Sequence, residues 1–275
     1  MADGGSPWLI RYKRSPDAWA RLFCFHCAGA SASEFRNWPT HLPGEIEVVA
    51  VQLPGREWRV SEEFISSMDD LIEGVVAAMT GLLDKPYIIF GHSFGAIGGF
   101  EVIRELRRRR LKQPVLFIPA GRQGAHLKEK KPIASLPREE FIEELQKDCG
   151  DHIGHILESA ELKEVFIPQI HADFVLSETY RYCDEPPLDC PIVAFAGIEE
   201  NELETAELNA WSAHTSQSFK SRRFPGDHFF VQKSQRLVIE AITQEIFRYV
   251  RGPRGPRVDA SRAEGDLTRA ESGRR

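Results

Sequence analysis

The pentapeptide Gly-His-Ser-Phe-Gly at residues 91–95 constrains the fold of this 275-residue chain more than any other feature. The apolar run at residues 87–90 precedes it, and a segment with helical character follows it from about Ala96. A strand, a sharp turn and a helix in this order form a nucleophile elbow, in which a strained turn exposes the hydroxyl of the central serine. The pattern predicts that Ser93 is a nucleophile; the competing interpretation is a buried glycine turn between a strand and a helix.

Composition and charge favour one large globular domain that neither binds nucleic acid nor spans a membrane. With 42% hydrophobic residues the chain can bury a substantial core, which favours one large domain. A net charge of −6 and the lack of a basic patch interleaved with aromatic residues argue against nucleic-acid binding. No apolar run reaches the length of a membrane span, and the first residues lack the pattern of a signal peptide. We therefore expect a cytoplasmic protein.

The five cysteines are an odd number dispersed along the chain, so we expect reduced thiols. Cys24 and Cys27 have the spacing found in zinc sites and redox pairs, but no second pair of suitable spacing completes a zinc site. Cys24 lies within a strand-like run, which favours the interpretation of small buried hydrophobic side chains. The sequence predicts neither a metal site nor a cofactor site.

Short β-like runs alternate with longer segments of helical periodicity, which is typical of an α/β fold with a mostly parallel sheet and helices on both faces. The predicted strands are 21–25, 47–52, 87–90, 115–120, 192–196 and 218–224. The predicted helices outside the insertion described below are 67–83, 96–111 and 238–250.

A long stretch at residues 126–182 separates two predicted core strands and shows helical patterning at 138–149, 153–165 and 167–182. We predict a helical lid over a site at the carboxyl ends of the strands; structural helices packed on the sheet are the alternative. The domain is expected to span residues 20–250, after an N-terminal extension at 1–19. Residues 251–275 are rich in Gly, Pro, Arg and acidic residues, which predicts a disordered tail.

A serine nucleophile needs a histidine base and an acid that orients it. His228 follows the last predicted strand and is the predicted base. The loop after the preceding strand contains Glu200 and Glu199 but no aspartate, so Glu200 is the predicted acid, with Glu199 in reserve. The order nucleophile, acid, base is that of α/β-hydrolases. For each glutamate the alternative is a solvated loop residue.

Acyl transfer through a tetrahedral intermediate also needs backbone N–H donors for the oxyanion. One normally comes from the residue after the nucleophile, which is Phe94. The other comes from the loop after the early strand, residues 27–31, whose small side chains let the backbone approach a carbonyl group. Ala28 is the predicted donor, and a plain tight turn is the alternative.

Together these motifs resemble one family, the type II thioesterases, which are stand-alone α/β-hydrolases that act beside polyketide, nonribosomal peptide and fatty acid synthases. The resemblance covers roughly residues 20–250. It rests on five segments: Phe-Cys-Phe-His-Cys-Ala-Gly-Ala at 23–30, Leu-Pro-Gly-Arg-Glu at 53–57, the pentapeptide with the following Ala96, His-Ala-Asp-Phe at 171–174, and Pro-Gly-Asp-His-Phe at 225–229.

The resemblance implies hydrolysis of acyl thioesters on the phosphopantetheine arm of acyl or peptidyl carrier proteins, either to edit or to release chains. It implies the same roles for Ser93, His228 and Glu200. Two departures are evident: the family usually has aspartate as the acid, and it usually reads Pro-His where this chain has His26 and Cys27. Three alternatives stay open, namely a small-ester hydrolase, an acyltransferase, or a catalytically weak protein that binds acyl carriers.

Basic residues cluster at the end of the helix after Ser93, at positions 104, 107–110 and 112. They have the charge needed to meet the acidic surface of a carrier protein. Cations at a helix C-terminus also compensate the helix dipole, and this structural role is the favoured interpretation.

Overall fold

The computed structural model describes residues 6–250, and the predicted tail at 251–275 lies outside them. Seven strands form one sheet in the order β1-β3-β2-β4-β5-β6-β7. Strand β1 is antiparallel to β3, and the other neighbouring strands are parallel. The strands are β1 (Leu9–Ile10), β2 (Ala20–Phe25), β3 (Ile46–Val51), β4 (Tyr87–His92), β5 (Leu116–Ala120), β6 (Ile192–Gly197) and β7 (Phe219–Phe224).

Helices cover both faces of the sheet. The α-helices are α1 (Met68–Met79), α2 (Phe94–Arg108), α3 (Arg138–Glu158), α4 (Ala160–Thr179), α5 (Thr205–Asn209), α6 (Phe230–Lys233) and α7 (Gln235–Tyr249). Short 3₁₀ helices occupy Ala32–Phe35, Trp38–Thr40, Glu57–Arg59, Thr80–Leu82 and Ala210–His214.

Alternating side chains of the central strands build two hydrophobic cores. Phe23 and Phe25 of β2 pack with the apolar stripes of α1 and α2 on one face. Leu22 and Cys24 point to the other face and pack in the core that contains Val238 of α7. Because both faces are covered, all six residues of β2 are buried, as expected for a strand in a parallel sheet.

The strand pairing brings the functional loops to one edge. Phe25 of β2 pairs with Gly91 of β4, so the loop after β2 begins beside the pentapeptide. Gly197 of β6 pairs with Phe224 of β7, which makes the loops after these strands neighbours. Parallel strands end at the same edge, and ligands of open α/β sheets bind there.

The predicted α/β-hydrolase-type fold with a mostly parallel sheet is confirmed, and the six predicted strands agree within two residues. The sequence analysis missed β1, whose two residues pair with β3 within the segment predicted as an N-terminal extension.

The predicted division of the insertion into helices at 153–165 and 167–182 is wrong, because α4 runs unbroken from Ala160 to Thr179 through Pro168. The break falls at Ser159, whose hydroxyl caps α4 by accepting a hydrogen bond from the Leu162 N–H at 3.2 Å. Helix α3 contains a kink at Gly150, where φ is 40°. We call α3 and α4 together the helical insertion. Across residues 6–250, none of the helices has the length and apolarity required to cross a membrane.

Candidate active site

Ser93 sits in a strained turn between β4 and α2. Its φ of 55° and ψ of −115° are unusual for a residue with a side chain. The Ser93 N–H donates to the carbonyl oxygen of Ala120 at the end of β5, with a distance of 2.7 Å. A Cβ atom at Gly91 would overlap the carbonyl oxygen of Gly95. The backbone therefore requires glycine at position 91, as the pentapeptide predicts, and it leaves the Ser93 side chain partly exposed.

His228 and Glu200 meet at the ends of β7 and β6. The Nδ1 atom of His228 lies 2.6 Å from Oε1 of Glu200. A carboxylate only accepts, so Nδ1 carries the proton and donates it to the hydrogen bond, which leaves Nε2 free to accept. The other carboxylate oxygen of Glu200 accepts a hydrogen bond from the Gly197 N–H at 3.1 Å. Both oxygens of this buried carboxylate are thus fixed.

The pair shifts the pKa of both members. Burial disfavours the charged imidazole, but the hydrogen bond and the charge of Glu200 outweigh it and raise the pKa of His228. Burial likewise disfavours the carboxylate, but the hydrogen bond and charge of His228 and the Gly197 N–H lower the pKa of Glu200. Glu200 therefore makes the His228 imidazole a stronger base.

Glu199, the reserve acid, has a different environment. Its side chain is exposed, and its backbone N–H donates to the Gly226 carbonyl oxygen at 3.0 Å. Its carboxylate makes no hydrogen bond or ion pair within residues 6–250. Of the two glutamates, the structure brings Glu200 to His228.

A cavity of about 390 Å³ opens beside Ser93 and His228. Its wall includes Ala28 and Phe94, the two predicted oxyanion donors, together with Glu199 and Glu200 of the loop after β6. The helical insertion and the segment before it supply the opposite wall, which contains Ile133, Lys147, Asp148, Cys149, Phe174, Ser177 and Glu178. All the predicted site residues therefore face one space between the sheet edge and the helical insertion.

Cys149 is a second nucleophile type in the cavity wall. Burial, with a smaller contribution from nearby acidic groups, raises the pKa of its thiol to about 12. Because the thiolate is the reactive form, this cysteine stays protonated at neutral pH and does not compete with Ser93.

The oxyanion loop, residues 27–31, has two N–H groups that are held by hydrogen bonds. The Gly29 N–H donates to Asp173 Oδ2 at 2.8 Å, and the Ala30 N–H donates to the Cys27 carbonyl oxygen at 3.2 Å. The Ala28 N–H makes no hydrogen bond within the described residues, and Ala28 lines the cavity. The N–H of Phe94 lies in the first turn of α2, where N–H groups have no intrahelical partner.

Gly95 brings these two donors together. A Cβ atom there would overlap the carbonyl oxygen of Phe25, so the first turn of α2 lies directly on the end of β2, where the oxyanion loop begins. The close approach explains why the second glycine of the pentapeptide is needed.

A family model described as the thioesterase domain matches residues 20–247 of this chain, which includes every residue of the site described above. The chain belongs to the thioesterase family. It is therefore an enzyme that hydrolyses thioesters, and the resemblance to type II thioesterases is confirmed.

Named relatives cover nearly the whole chain. The gramicidin S biosynthesis protein GrsT of Aneurinibacillus migulanus is 34% identical over 248 residues, which are 90% of this chain and 96% of GrsT. Thioesterase PikA5 of Streptomyces venezuelae is 30% identical over 240 residues, with 87% of this chain and 85% of PikA5 covered. The solved structure of the thioesterase RedJ from the prodiginine pathway of Streptomyces coelicolor superposes with a TM-score of 0.78 at 33% identity, covering 84% of this chain and 88% of RedJ.

The thioesterase also contains a buried group that the sequence analysis did not assign. His92 is fully buried behind the site, and its Nε2 atom lies 2.9 Å from the His228 carbonyl oxygen, to which it donates. Its Nδ1 atom faces Glu34 Oε1 at 3.5 Å without a hydrogen bond. The sequence carries no local signal for the contact between His92 and the loop that contains His228.

Cys27, Glu34 and His92 bring a thiol, a carboxylate and an imidazole within 4.8 Å of one another. These are metal-binding group types, but Glu34 is already held by Gln232, whose amide donates to Oε1 at 2.7 Å. Cys24, the other half of the C-x-x-C pair, is buried in the core on β2. Both cysteines are free thiols.

Four of the six basic residues at the end of α2 form ion pairs within the chain. Arg104 is buried and bonds to Glu101 at 2.6 Å, while Arg107 and Arg108 both bond to Glu185 at 2.9 Å. Arg109 bonds to Glu105 at 2.6 Å. These ion pairs support the structural interpretation of the cluster.

Proposed function

We propose that the thioesterase uses Ser93, His228 and Glu200 as a catalytic triad, with the Ala28 and Phe94 N–H groups as the oxyanion hole. The observation that carries the proposal is the 2.6 Å contact between His228 Nδ1 and Glu200 Oε1 beside a strained, accessible Ser93. It fixes the imidazole tautomer that a base needs, with Nε2 free to take the serine proton.

The reaction then proceeds in two halves. The Ser93 hydroxyl attacks the thioester carbonyl carbon while His228 Nε2 takes its proton, and the resulting oxyanion accepts hydrogen bonds from the Ala28 and Phe94 N–H groups. The C–S bond breaks, His228 returns the proton to the thiol that leaves, and an ester to Ser93 remains. Water attacks this ester while His228 takes its proton, the bond between the acyl carbon and Ser93 Oγ breaks, and His228 returns the proton to Oγ as the free acid departs.

Glutamate suits the role of orienting acid in this chain because both carboxylate oxygens have defined partners. Oε1 accepts from His228, and Oε2 accepts from the Gly197 N–H. The longer side chain folds back onto its own loop, since Gly197 lies three residues before Glu200. The absence of aspartate from this loop is therefore compatible with a working triad.

The substrates we propose are acyl groups bound through phosphopantetheine to acyl or peptidyl carrier proteins, which the enzyme edits or releases. Support comes from the relatives, whose names place GrsT in gramicidin S biosynthesis and RedJ in the prodiginine pathway. The cavity opens to the surface beside Ser93, which suits a tethered substrate, and its volume of about 390 Å³ suits acyl groups of small to medium size. We assign the helical insertion the role of a lid over this cavity.

The test is steady-state hydrolysis of acyl groups carried by a phosphopantetheinylated carrier protein. Ser93→Ala and His228→Ala should each lower kcat by roughly 10⁴- to 10⁶-fold while the proteins stay folded. Residual turnover within tenfold of the parent enzyme in either variant would refute the triad.

Product analysis separates hydrolysis from the other reactions. With an acceptor alcohol present, a hydrolase yields the free acid, whereas an acyltransferase yields the new ester. Equal turnover of a simple aryl ester and of the carrier-bound thioester, compared as kcat/KM, would favour a small-ester hydrolase over the proposed function.

A further inference from the structure

Arg56 and Asp173 form a buried ion pair between the loop after β3 and helix α4. Two parallel hydrogen bonds of 2.7 Å join Nη1 and Nη2 of Arg56 to the two carboxylate oxygens of Asp173. The side chains are only 2% and 1% exposed. A fork of this geometry is among the strongest side-chain contacts available, and burial makes it intolerant of losing one partner.

Both members of the pair also bind the oxyanion loop. Asp173 Oδ2 accepts a hydrogen bond from the Gly29 N–H at 2.8 Å, and Arg56 Nη1 donates to the Ala30 carbonyl oxygen at 2.9 Å. The ion pair thus holds the peptide unit between Ala28 and Gly29 and the peptide unit between Ala30 and Ser31.

Helix α4 adds two more contacts to the same loop. Gln169 Nε2 donates to the Gly29 carbonyl oxygen at 2.5 Å. Ile170 packs so closely on Gly29 that a Cβ atom there would overlap its side chain. Residues 169, 170 and 173 are spaced so that they share one face of the helix, and this face is turned to the oxyanion loop.

We propose that Arg56 and Asp173 are positioning residues that make the oxyanion hole depend on the docking of α4. Neither Arg56 nor Asp173 lines the cavity, and neither contacts Ser93. They act on the direction of the Ala28 N–H because the peptide unit that carries it adjoins the Ala28–Gly29 unit that Asp173 holds. The helical insertion then completes the catalytic machinery as well as covering the cavity.

The coupling has a chemical reason. Asp173 holds the Gly29 N–H, which directly follows Ala28, so a rotation of the loop would turn the Ala28 N–H away from the oxyanion. An oxyanion-hole donor contributes mainly in the transition state, where the charge is concentrated. Loss of the ion pair should therefore lower kcat and leave substrate binding nearly intact.

The experiment compares Asp173→Asn, the double variant Arg56→Met/Asp173→Leu, and the control Arg138→Gln. The control removes an exposed ion pair of 2.6 Å between α3 and α4 that does not contact the oxyanion loop. The double variant replaces the charges by apolar side chains, which buried ion pairs generally tolerate, so it keeps the protein folded if Asp173→Asn does not.

Three quantities are measured on each variant: kcat and KM for an acyl-pantetheine, the inhibition constant of an alkyl trifluoromethyl ketone, and the dissociation constant of an S-alkyl pantetheine thioether. The ketone forms a tetrahedral adduct with the serine and requires the oxyanion hole, whereas the thioether lacks a carbonyl group and tests the cavity alone. We expect kcat and ketone affinity to fall on the order of 100-fold in the double variant, with KM and thioether affinity changed less than about twofold.

An unchanged kcat in the folded double variant would overturn the proposal, as would equal losses of ketone and thioether affinity, which indicate a collapsed cavity. The inference rests on the proposed function, but the two fail separately. If Ser93→Ala abolishes turnover while the double variant retains it, the triad stands and the positioning role falls; if Ser93→Ala is active, the triad itself is wrong.

Discussion

The two halves of the active site are held in place by different forces. On the nucleophile side, Ser93, Glu200 and His228 follow directly from strands of the sheet, and backbone hydrogen bonds and the apolar cores fix their loops. On the oxyanion side, the loop at residues 27–31 is held by a buried ion pair and by a helix outside the sheet. The first half is held by the sheet itself, whereas the second depends on contacts with α4 and Arg56.

On the nucleophile side, the catalytic geometry does not depend on the position of the helical insertion. On the oxyanion side, it does. We expect a displaced helical insertion to leave the contact between His228 and Glu200 in place, because both belong to neighbouring loops of the sheet, although His152 of α3 stacks on the adjacent Phe229. The same displacement removes Asp173 and Gln169, which are the partners of the Gly29 N–H and of the Gly29 carbonyl oxygen. The four predictions below test this contrast, in order of decreasing effect.

The largest effect is expected on the nucleophile side from Glu200→Gln. The amide has the same shape but no charge, and it lets the imidazole take the wrong tautomer, so kcat should fall by roughly 10³- to 10⁴-fold. Glu199→Gln is the matched control, since its side chain is exposed and lies in the same loop, and it should retain kcat within about twofold. Equal losses in both variants, measured with a carrier-bound thioester, would contradict the assignment of the acid.

The pH profile of the same variant gives an independent check. His228 acts as a base in its neutral form, so kcat/KM falls as the pH drops through its pKa, which Glu200 raises above the usual value for histidine. Removing the charge of Glu200 removes this contribution, and the acidic limb of the profile should move to lower pH. A limb that stays in place, or moves to higher pH, would show that Glu200 does not act on His228.

On the oxyanion side, Asp173→Asn should produce the largest loss of stability. It leaves the buried Arg56 guanidinium without a counter-charge, which lowers the free energy of unfolding by about 3–5 kcal/mol. Arg138→Gln, which breaks an exposed pair in the same insertion, should cost less than about 1 kcal/mol. Denaturant unfolding measures both values, and similar costs for the two variants would show that burial of the Asp173 pair has no special effect.

Alanine substitutions at Gly91 and Gly29 compare the two sides of the site through smaller changes in the free energy of unfolding. At Gly91 a Cβ atom would meet backbone, but at Gly29 it would meet the Ile170 side chain. Both Gly→Ala changes should lower the free energy of unfolding by about 1–3 kcal/mol. Adding Ile170→Ala should restore part of the loss for Gly29→Ala, where φ is 75°, and none of it for Gly91→Ala. Equal responses in denaturant unfolding would contradict the proposed difference.

The sequence was most predictive where structure is local. The pentapeptide, the histidine after the last strand and the acidic loop before it lie within a few residues of a strand end, so period and turn chemistry located them. The choice of Glu200 over Glu199 is a prediction of this kind. Strand β1 was missed because two residues carry too little periodicity to stand out.

Long-range contacts were the part that sequence reasoning did not reach. The segments containing Arg56 and Asp173 were recognised as motifs, but their pairing joins positions 117 residues apart and has no local signal. The start of α4 was misplaced for a different reason: the capping role of Ser159 was overlooked, although a serine before a helical run is a start signal.

The contact between Arg56 and α4 also bears on how such enzymes can be recombined. A helical insertion transplanted from a relative brings its own residues at positions 169, 170 and 173, but residue 56 and the oxyanion loop stay with the recipient. If the transplanted residues do not match residue 56 and the oxyanion loop of the recipient, the chimera would have the cavity of the relative but a poorly formed oxyanion hole. The unit of exchange is therefore the insertion together with the segments at residues 27–31 and 53–57.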